Sequence, residues 1–422
     1  MLSITKTTQF LLFLLLFSPL FSYISFGILG LESITFYFKF VFCFYGCFFV
    51  YKKWKVIHFS ALHYFWICYI LYIIIWSFYN GIYERSGFLT NKNLIYISTL
   101  FIIIIIYNTN FEERFIKNSI LIIKITVIVA AIVSLIQFYN SSFLDANPLW
   151  DKWGGFESAF TGTLYEVRRS SIFGYVDQNE IGLSYMPILS VLIGFLLYNK
   201  TKFFWFFLIL GGISAVLTNG RYIMFAFILI TLQILIYQKS GIKGIVKFIF
   251  FIFFIFLFFY QVLDILGYDF NAWYNQRLLS EGSFKETTRY KAYENFLFFF
   301  PKNPYFGTGV HLTEEIKEAS KAVGSSQIHV GYLSHLVSFG IVGSFFMFGF
   351  WFLLAKKLYK SAKYTKYWGS FFAFLIYLWA QTTLVYYSIF FYGLIFAFVF
   401  DKYVKDNYSN KEFVSSSIKK GV

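Results

Sequence analysis

Four basic residues stand where apolar stretches of the chain begin or end. Arg169 closes a long polar segment, and Arg221 sits in Leu217-Thr218-Asn219-Gly220-Arg221, a tight turn between two apolar runs. Arg289 lies in the polar segment 266–328, and His329 opens the apolar run after it. A guanidinium is planar, permanently charged, and matches two oxygens of a phosphate at once. Three of them on one face of a membrane can hold a phosphate or pyrophosphate. Taken singly, each has a plainer reading. An arginine at the end of a span snorkels to lipid headgroups, and a histidine at a helix start serves as a packing or surface residue.

What must position these groups is a stack of membrane helices. The 422 residues are 58% hydrophobic and only 14% charged, against about 25% charged in soluble domains. The apolar residues come in runs that approach the roughly 20 residues needed to cross a bilayer. Spans are expected at about 9–29, 34–51, 60–79, 93–108, 118–139, 179–198, 203–218, 221–237, 245–266, 329–354, 367–384 and 386–401. The fold class is therefore an all-α polytopic membrane protein, with about 12 transmembrane helices and one large outer loop containing short helices. The N-terminal apolar run has no convincing small-residue cleavage site and is read as the first span.

The net charge of +15 reads as the positive-inside bias and not as nucleic-acid binding. With both termini cytoplasmic, 21 of the 36 Lys and Arg fall inside, against six outside once the long loop 266–328 is set aside. Two outer segments result, 140–178 and 266–328, and all four basic residues fall on that outer side. Lys39 and Lys124 lie within spans, close enough to an end to snorkel. Cys43, Cys47 and Cys68 lie in apolar runs without neighbouring His or acid, which suits packing and not a metal site. Trp150 and Trp153 fit interfacial anchors or sugar-stacking rings.

The large loop carries local structure. Ser283 and Glu286 have capping-box spacing. Tyr290, Tyr293, Leu297 and Phe300 then recur at three- and four-residue steps, predicting an amphipathic helix lying on the bundle or the membrane. Pro301 and Pro304 end it, the turn-rich run Asn303-Pro304-Tyr305-Phe306-Gly307-Thr308-Gly309 follows, and a short charged helix is expected at Glu314–Lys321.

Several of these pieces, in order, resemble the O-antigen polymerase and O-antigen ligase superfamily of bacterial envelope glycosyltransferases. They are Arg169-Ser170-Ser171-Ile172-Phe173-Gly174 with Asp177-Gln178-Asn179, then Leu217–Arg221, then Arg289 with Asn303–Gly309, then His329-Val330-Gly331-Tyr332-Leu333 leading to Gly340-Ile341-Val342-Gly343. The likeness covers about residues 165–350. Val330 stands where the family usually has Asn, and Gln178 replaces the Pro of a Pro-Asn pair. The implied division is 1–165 for N-terminal transmembrane helices, 166–355 for the polymerase/ligase-like core with its outer loop, and 356–422 for C-terminal helices and a basic cytoplasmic tail.

The resemblance implies an integral-membrane glycosyltransferase of the bacterial inner membrane, working on its periplasmic face. Its donor would be a glycan on undecaprenyl pyrophosphate, and its acceptor a hydroxyl. Arg169, Arg221 and Arg289 would neutralise the departing pyrophosphate, with no metal and no cofactor. His329 would act as general base or orient the acceptor, with His335 its backup and Asp177 or Glu286 rival bases. Asn179 is a further binding candidate. Expected partners are the lipid-linked oligosaccharide, the bilayer, and a chain-length regulator or other envelope-assembly protein. Polymerase is the preferred function and ligase the alternative. A lipid-linked oligosaccharide flippase and a non-catalytic scaffold are the readings from other classes.

Overall fold

The computed structural model describes residues 3–17, 34–84, 91–139, 185–217, 221–238, 288–308, 330–381 and 392–420, with isolated positions between 242 and 261. Every regular element among them is helical. In chain order they are α1 (Ile4–Leu16), α2 (Ile34–Lys53), α3 (Ala61–Glu84), α4 (Asn91–Tyr107), α5 (Glu113–Tyr139), α6 (Met186–Tyr198), α7 (Phe204–Leu217) and α8 (Arg221–Gln238). There follow α9 (Thr288–Phe299) with a 3-10 turn at Phe300–Lys302, α10 (Gly331–Thr365), α11 (Gly369–Ala380) and α12 (Tyr392–Lys420). Of the expected span 245–266 only isolated helical positions are described, and helix Glu314–Lys321, the capping box at Ser283, the tryptophans Trp150 and Trp153 and residues 18–33 lie outside the described residues.

The bundle is apolar inside and out. One cluster of buried side chains runs from Leu12 through Trp66, Ile105, Leu192 and Phe350 to Val404. The outer faces carry Phe44, Leu71, Ile75, Leu121, Phe206, Phe345 and Phe352, all exposed. A helix that is hydrophobic all round belongs in a membrane or a large core, and these outward faces have no protein over them among the described residues. Among the described residues two helices, Glu113–Gln137 of α5 and Gly331–Thr365 of α10, are long and apolar enough to cross a bilayer.

Close packing holds the helices, since lipid is as apolar as leucine and burial gives little drive. Gly194 of α6 lies against Gly369 of α11, where a Cβ on Gly194 would collide with the Gly369 Cα. That approach is tied by polar groups: Gln233 donates to the Ser190 hydroxyl at 2.5 Å, and Ser190 donates to the Gly369 carbonyl at 2.8 Å. Across the bundle, Trp66 donates its indole N–H to the Tyr96 carbonyl at 2.9 Å and meets Phe350 at 4.3 Å between rings. Trp66 thereby joins α3, α4 and α10.

The lysine-rich connections gather at one end. Lys53 Nζ donates to the Asn108 carbonyl at 3.2 Å, and Lys357 Nζ lies 3.1 Å from the centre of the Tyr107 ring. Tyr237 donates to the Tyr198 carbonyl at 3.1 Å, Tyr198 meets Tyr367, and Tyr364 meets Tyr408. The ends of α2, α4, α6, α8 and α10 and the middle of α12 therefore share a level, as the alternation of spans requires.

The largest departure from expectation is α10. Its 35 residues include Gly340 at φ 62°, ψ −168°, far from helical values. In a straight helix Tyr332 and Trp351 would lie about 28 Å apart along the axis, yet their rings are 5.8 Å apart. His335 likewise meets Phe348 and Trp351, at 6.0 and 5.5 Å. Even a right-angle bend would not bring these pairs together. α10 is thus two arms folded back on each other at Gly340. The arm Gly331–Phe339 dips into the bundle, and the arm Ile341–Thr365 provides the crossing. The single span expected at 329–354 is corrected accordingly: its first third re-enters and does not cross.

Candidate functional site

The reversal at Gly340 frees backbone groups that a continuous helix would pair, and the turn 303–308 takes them up. Ile341 N–H donates to the Pro304 carbonyl at 2.9 Å and Val342 N–H to the Tyr305 carbonyl at 3.1 Å. Thr308 N–H donates to the Val337 carbonyl at 2.9 Å. The Tyr72 hydroxyl of α3 shares its proton between the carbonyls of Phe306, at 2.5 Å, and Phe339, at 2.8 Å. Orphaned backbone groups inside an apolar bundle are costly, so the Asn-Pro-x-x-Gly turn and the helix break make one interlocked unit.

Both glycines are required by position. Gly307 has φ 76°, and a Cβ there would lie 2.5 Å from the backbone nitrogens of Phe339 and Gly340. Tyr72→Phe removes the hydroxyl while keeping the ring, leaving the Phe306 and Phe339 carbonyls short of a donor. We expect it to cost about 1–3 kcal/mol, read as a lower unfolding temperature of the purified protein. An unchanged temperature would show that the contact carries no stability.

The re-entrant arm is the surface on which the site elements meet. Ala292, Phe296 and Phe299 of α9 pack on Val330, Leu333 and Val337. The expected stripe divides: Tyr293 and Leu297 point outward, as the membrane-facing alternative has it, while Phe300 packs on the cluster and Ala292, Asn295 and Phe299 are buried. The buried polar Asn295 hides the face packed on the arm from a hydrophobic count. At the arm's first residue, Gly331 N–H donates to the Gln381 carbonyl at 2.7 Å. Tyr332 donates to the Leu378 carbonyl at 2.5 Å. One turn into α8, Phe225 stacks on Trp379 with ring centres 3.9 Å apart.

These contacts set the expected site residues in context. Arg221 is the first residue of α8, and Arg289 lies in the first turn of α9. The start of α8, the end of α11, the start of the re-entrant arm and α9 are successive neighbours. Val330, next in sequence to His329, packs with α9 and the start of the arm. Arg169, Asp177, Asn179, Glu286 and His329 lie outside the described residues. His335 is fully buried on the inner side of the hairpin, among the rings of Phe339, Phe348 and Trp351.

Sequence reasoning missed Tyr72, Gln381 and Trp351. Tyr72 lies in a run of aromatic and aliphatic residues with nothing to distinguish it. A signal for the reversal did exist. A helical stretch of 35 residues is longer than one crossing needs, and it contains Gly340 and Gly343.

Fold and site together define a helical membrane protein whose central helices enclose a re-entrant hairpin clamped by an Asn-Pro-x-x-Gly turn. Residues 183–348, which span this hairpin, the turn and both α8 and α9, match the family model described as O-Antigen ligase. That match supports the O-antigen polymerase and ligase superfamily. No curated protein gives a significant match.

Proposed function

We propose that this chain transfers a glycan from undecaprenyl pyrophosphate to an acceptor hydroxyl at the outer face of the inner membrane, as a surface-polysaccharide polymerase. The observation that carries the reading is that α9, which bears Arg289, packs on Val330 beside His329, while α8, which begins at Arg221, stacks on the end of α11 to which Gly331 is bonded, with both arginines inside the segment matching O-Antigen ligase. The lysine-rich end then faces the cytoplasm, and both termini lie inside. Helix starts add unpaired N–H groups and a positive dipole end, which complement the arginines as a pyrophosphate site.

In the reaction the acceptor oxygen attacks the anomeric carbon. The bond from that carbon to the phosphate oxygen breaks, and undecaprenyl pyrophosphate leaves with the electron pair. His329 takes the acceptor proton. Arg169, Arg221 and Arg289 hold the charge that builds on the leaving group, so the arginines supply what a divalent metal supplies elsewhere. Asp177 or Glu286 is the alternative base, and Asn179 a hydrogen-bonding group for the glycan. The core of the reaction is segment 166–355, with 1–165 and 356–422 forming the surrounding bundle.

A ligase, moving finished chains to lipid A–core or protein, is the second reading, and the family description favours it. A gel of surface polysaccharide from a strain lacking the gene, complemented with wild type or His329→Ala, separates them. A single repeat unit on the lipid core marks the polymerase. Long chains left on the carrier lipid mark the ligase. A normal ladder in the deletion strain would overturn glycan transfer in favour of a flippase or scaffold. Full complementation by His329→Ala would remove His329 as base.

A further inference from the structure

At the lysine-rich end a cavity of about 460 Å³ opens between α10 and α12, within the about 300–1,000 Å³ usual for small-ligand sites. Lys356, Lys357 and Lys360 of α10 and Lys405 of α12 line it, with Leu353 and Tyr364 as its apolar walls. Lys356 and Lys360 are four apart on one helix, a spacing at which like charges oppose each other. No carboxylate offsets them. Among the described residues Lys356, Lys360 and Lys405 have no ion pair, and Asp406 is taken by Lys402. Asp401 is buried and faces Lys357.

Lys357 is the inner wall of the cavity, its ammonium set over the Tyr107 ring. A cavity that gathers four lysines against one buried carboxylate, Asp401, keeps a net positive charge and suits an anion with several oxygens. Its level and its walls point to the source. Leu353 lies where the crossing arm leaves the apolar layer, and the neighbouring Phe352 is 66% exposed on the outer, lipid-facing surface. An acyl chain can run along that face while its phosphate sits among the lysines.

We propose that this cavity binds the phosphate of an anionic phospholipid headgroup from the adjoining leaflet. The site lies toward the lysine-rich ends of α10 and α12, remote from the turn at Gly340, and does not depend on the transfer reaction. Basic pockets between helices at the cytoplasmic side hold such headgroups at about a five-fold gain in affinity per lysine.

The test uses the purified full chain in an uncharged detergent, with lipid binding read by native mass spectrometry. Phosphatidylglycerol should bind wild type, and phosphatidylcholine should not. Lys360→Gln should weaken phosphatidylglycerol about five-fold, and the triple change Lys356→Gln, Lys360→Gln, Lys405→Gln about 100-fold. The corresponding triple Lys→Arg protein should bind. Removing three charges elsewhere at this end, by Lys6→Gln, Lys52→Gln and Lys55→Gln, should leave binding unchanged. Should the triple Gln protein fail to fold, Lys360→Gln, exposed and unpaired, still decides the matter. Equal binding by wild type, Lys360→Gln and the charge-matched control would overturn the site. If inorganic phosphate or glycerol phosphate protects the same lysines and the lipid binds no better, the anion site stands and the lipid source is overturned.

Discussion

Gly340→Ala is expected to abolish accumulation of the folded protein, or to lower its stability by more than any other single methyl group added to the chain. Gly340 holds φ 62° and ψ −168°, a region open essentially to glycine alone and worth about 1–3 kcal/mol of strain to any other residue. A Cβ there also collides with the backbone of Tyr305 and Phe306, which has no rotamer with which to move aside. To relieve the clash, the turn 303–308 must leave the hairpin. Pro304, Tyr305 and Tyr72 would then lose their bonds to Ile341, Val342 and Phe339. Gly307→Ala should do the same from the other side of the contact. Ile341→Ala is the control: that side chain is 49% exposed and its loss leaves the reversal intact. Fluorescence-detected gel filtration and thermal unfolding of the three proteins check the expectation. If Gly340→Ala behaves like Ile341→Ala, the break at Gly340 does not hold the hairpin.

Arg289→Gln is expected to lower glycan transfer about 10²–10³-fold, the loss typical of one preorganised charge or donor removed from a transition state, with normal protein level and unfolding temperature. Arg221→Gln should act similarly. Both residues lie in the first turn of their helices: α9 packs on the re-entrant arm through Ala292 and Phe299, and α8 stacks Phe225 on Trp379 of α11, whose end is bonded to the arm at Gly331. Arg289→Lys keeps the charge and loses the two-pronged donor, so it should recover part of the activity, mainly at high donor concentration. The measurement is the initial rate of transfer from a lipid-linked donor in membranes carrying matched amounts of each protein. Near-normal rates for Arg289→Lys and Arg221→Lys would argue against paired phosphate contacts. Near-normal rates for both Gln proteins would remove the arginines from the reaction.

Much of the architecture was legible because a membrane makes sequence speak in long words. A crossing needs about 20 apolar residues and every backbone group must pair within its helix. Charge counting then predicted which connections share an end, and the contacts of Lys53 with Asn108 and of Lys357 with Tyr107 bring those connections together. The motif residues were legible too, and Asn303–Gly307 and Gly340 proved to touch each other. Their purpose was not legible. In the sequence the turn and the glycine are separate signals more than 30 residues apart, and nothing local says that one supplies the hydrogen bonds the other lacks.

By itself the sequence determined an all-helical, apolar class of protein and the charged residues available for chemistry. These follow from composition and from periods of a few residues, which local physics sets. Tertiary structure alone decided that the run after His329 turns back at Gly340, that α9 packs through Ala292 and Phe299 and not through Tyr293 and Leu297, and that four lysines from α10 and α12 enclose one cavity. Each of these depends on which distant backbone is present to accept a freed hydrogen bond or fill a face. An apolar run reads the same whether it crosses a bundle or folds back within it.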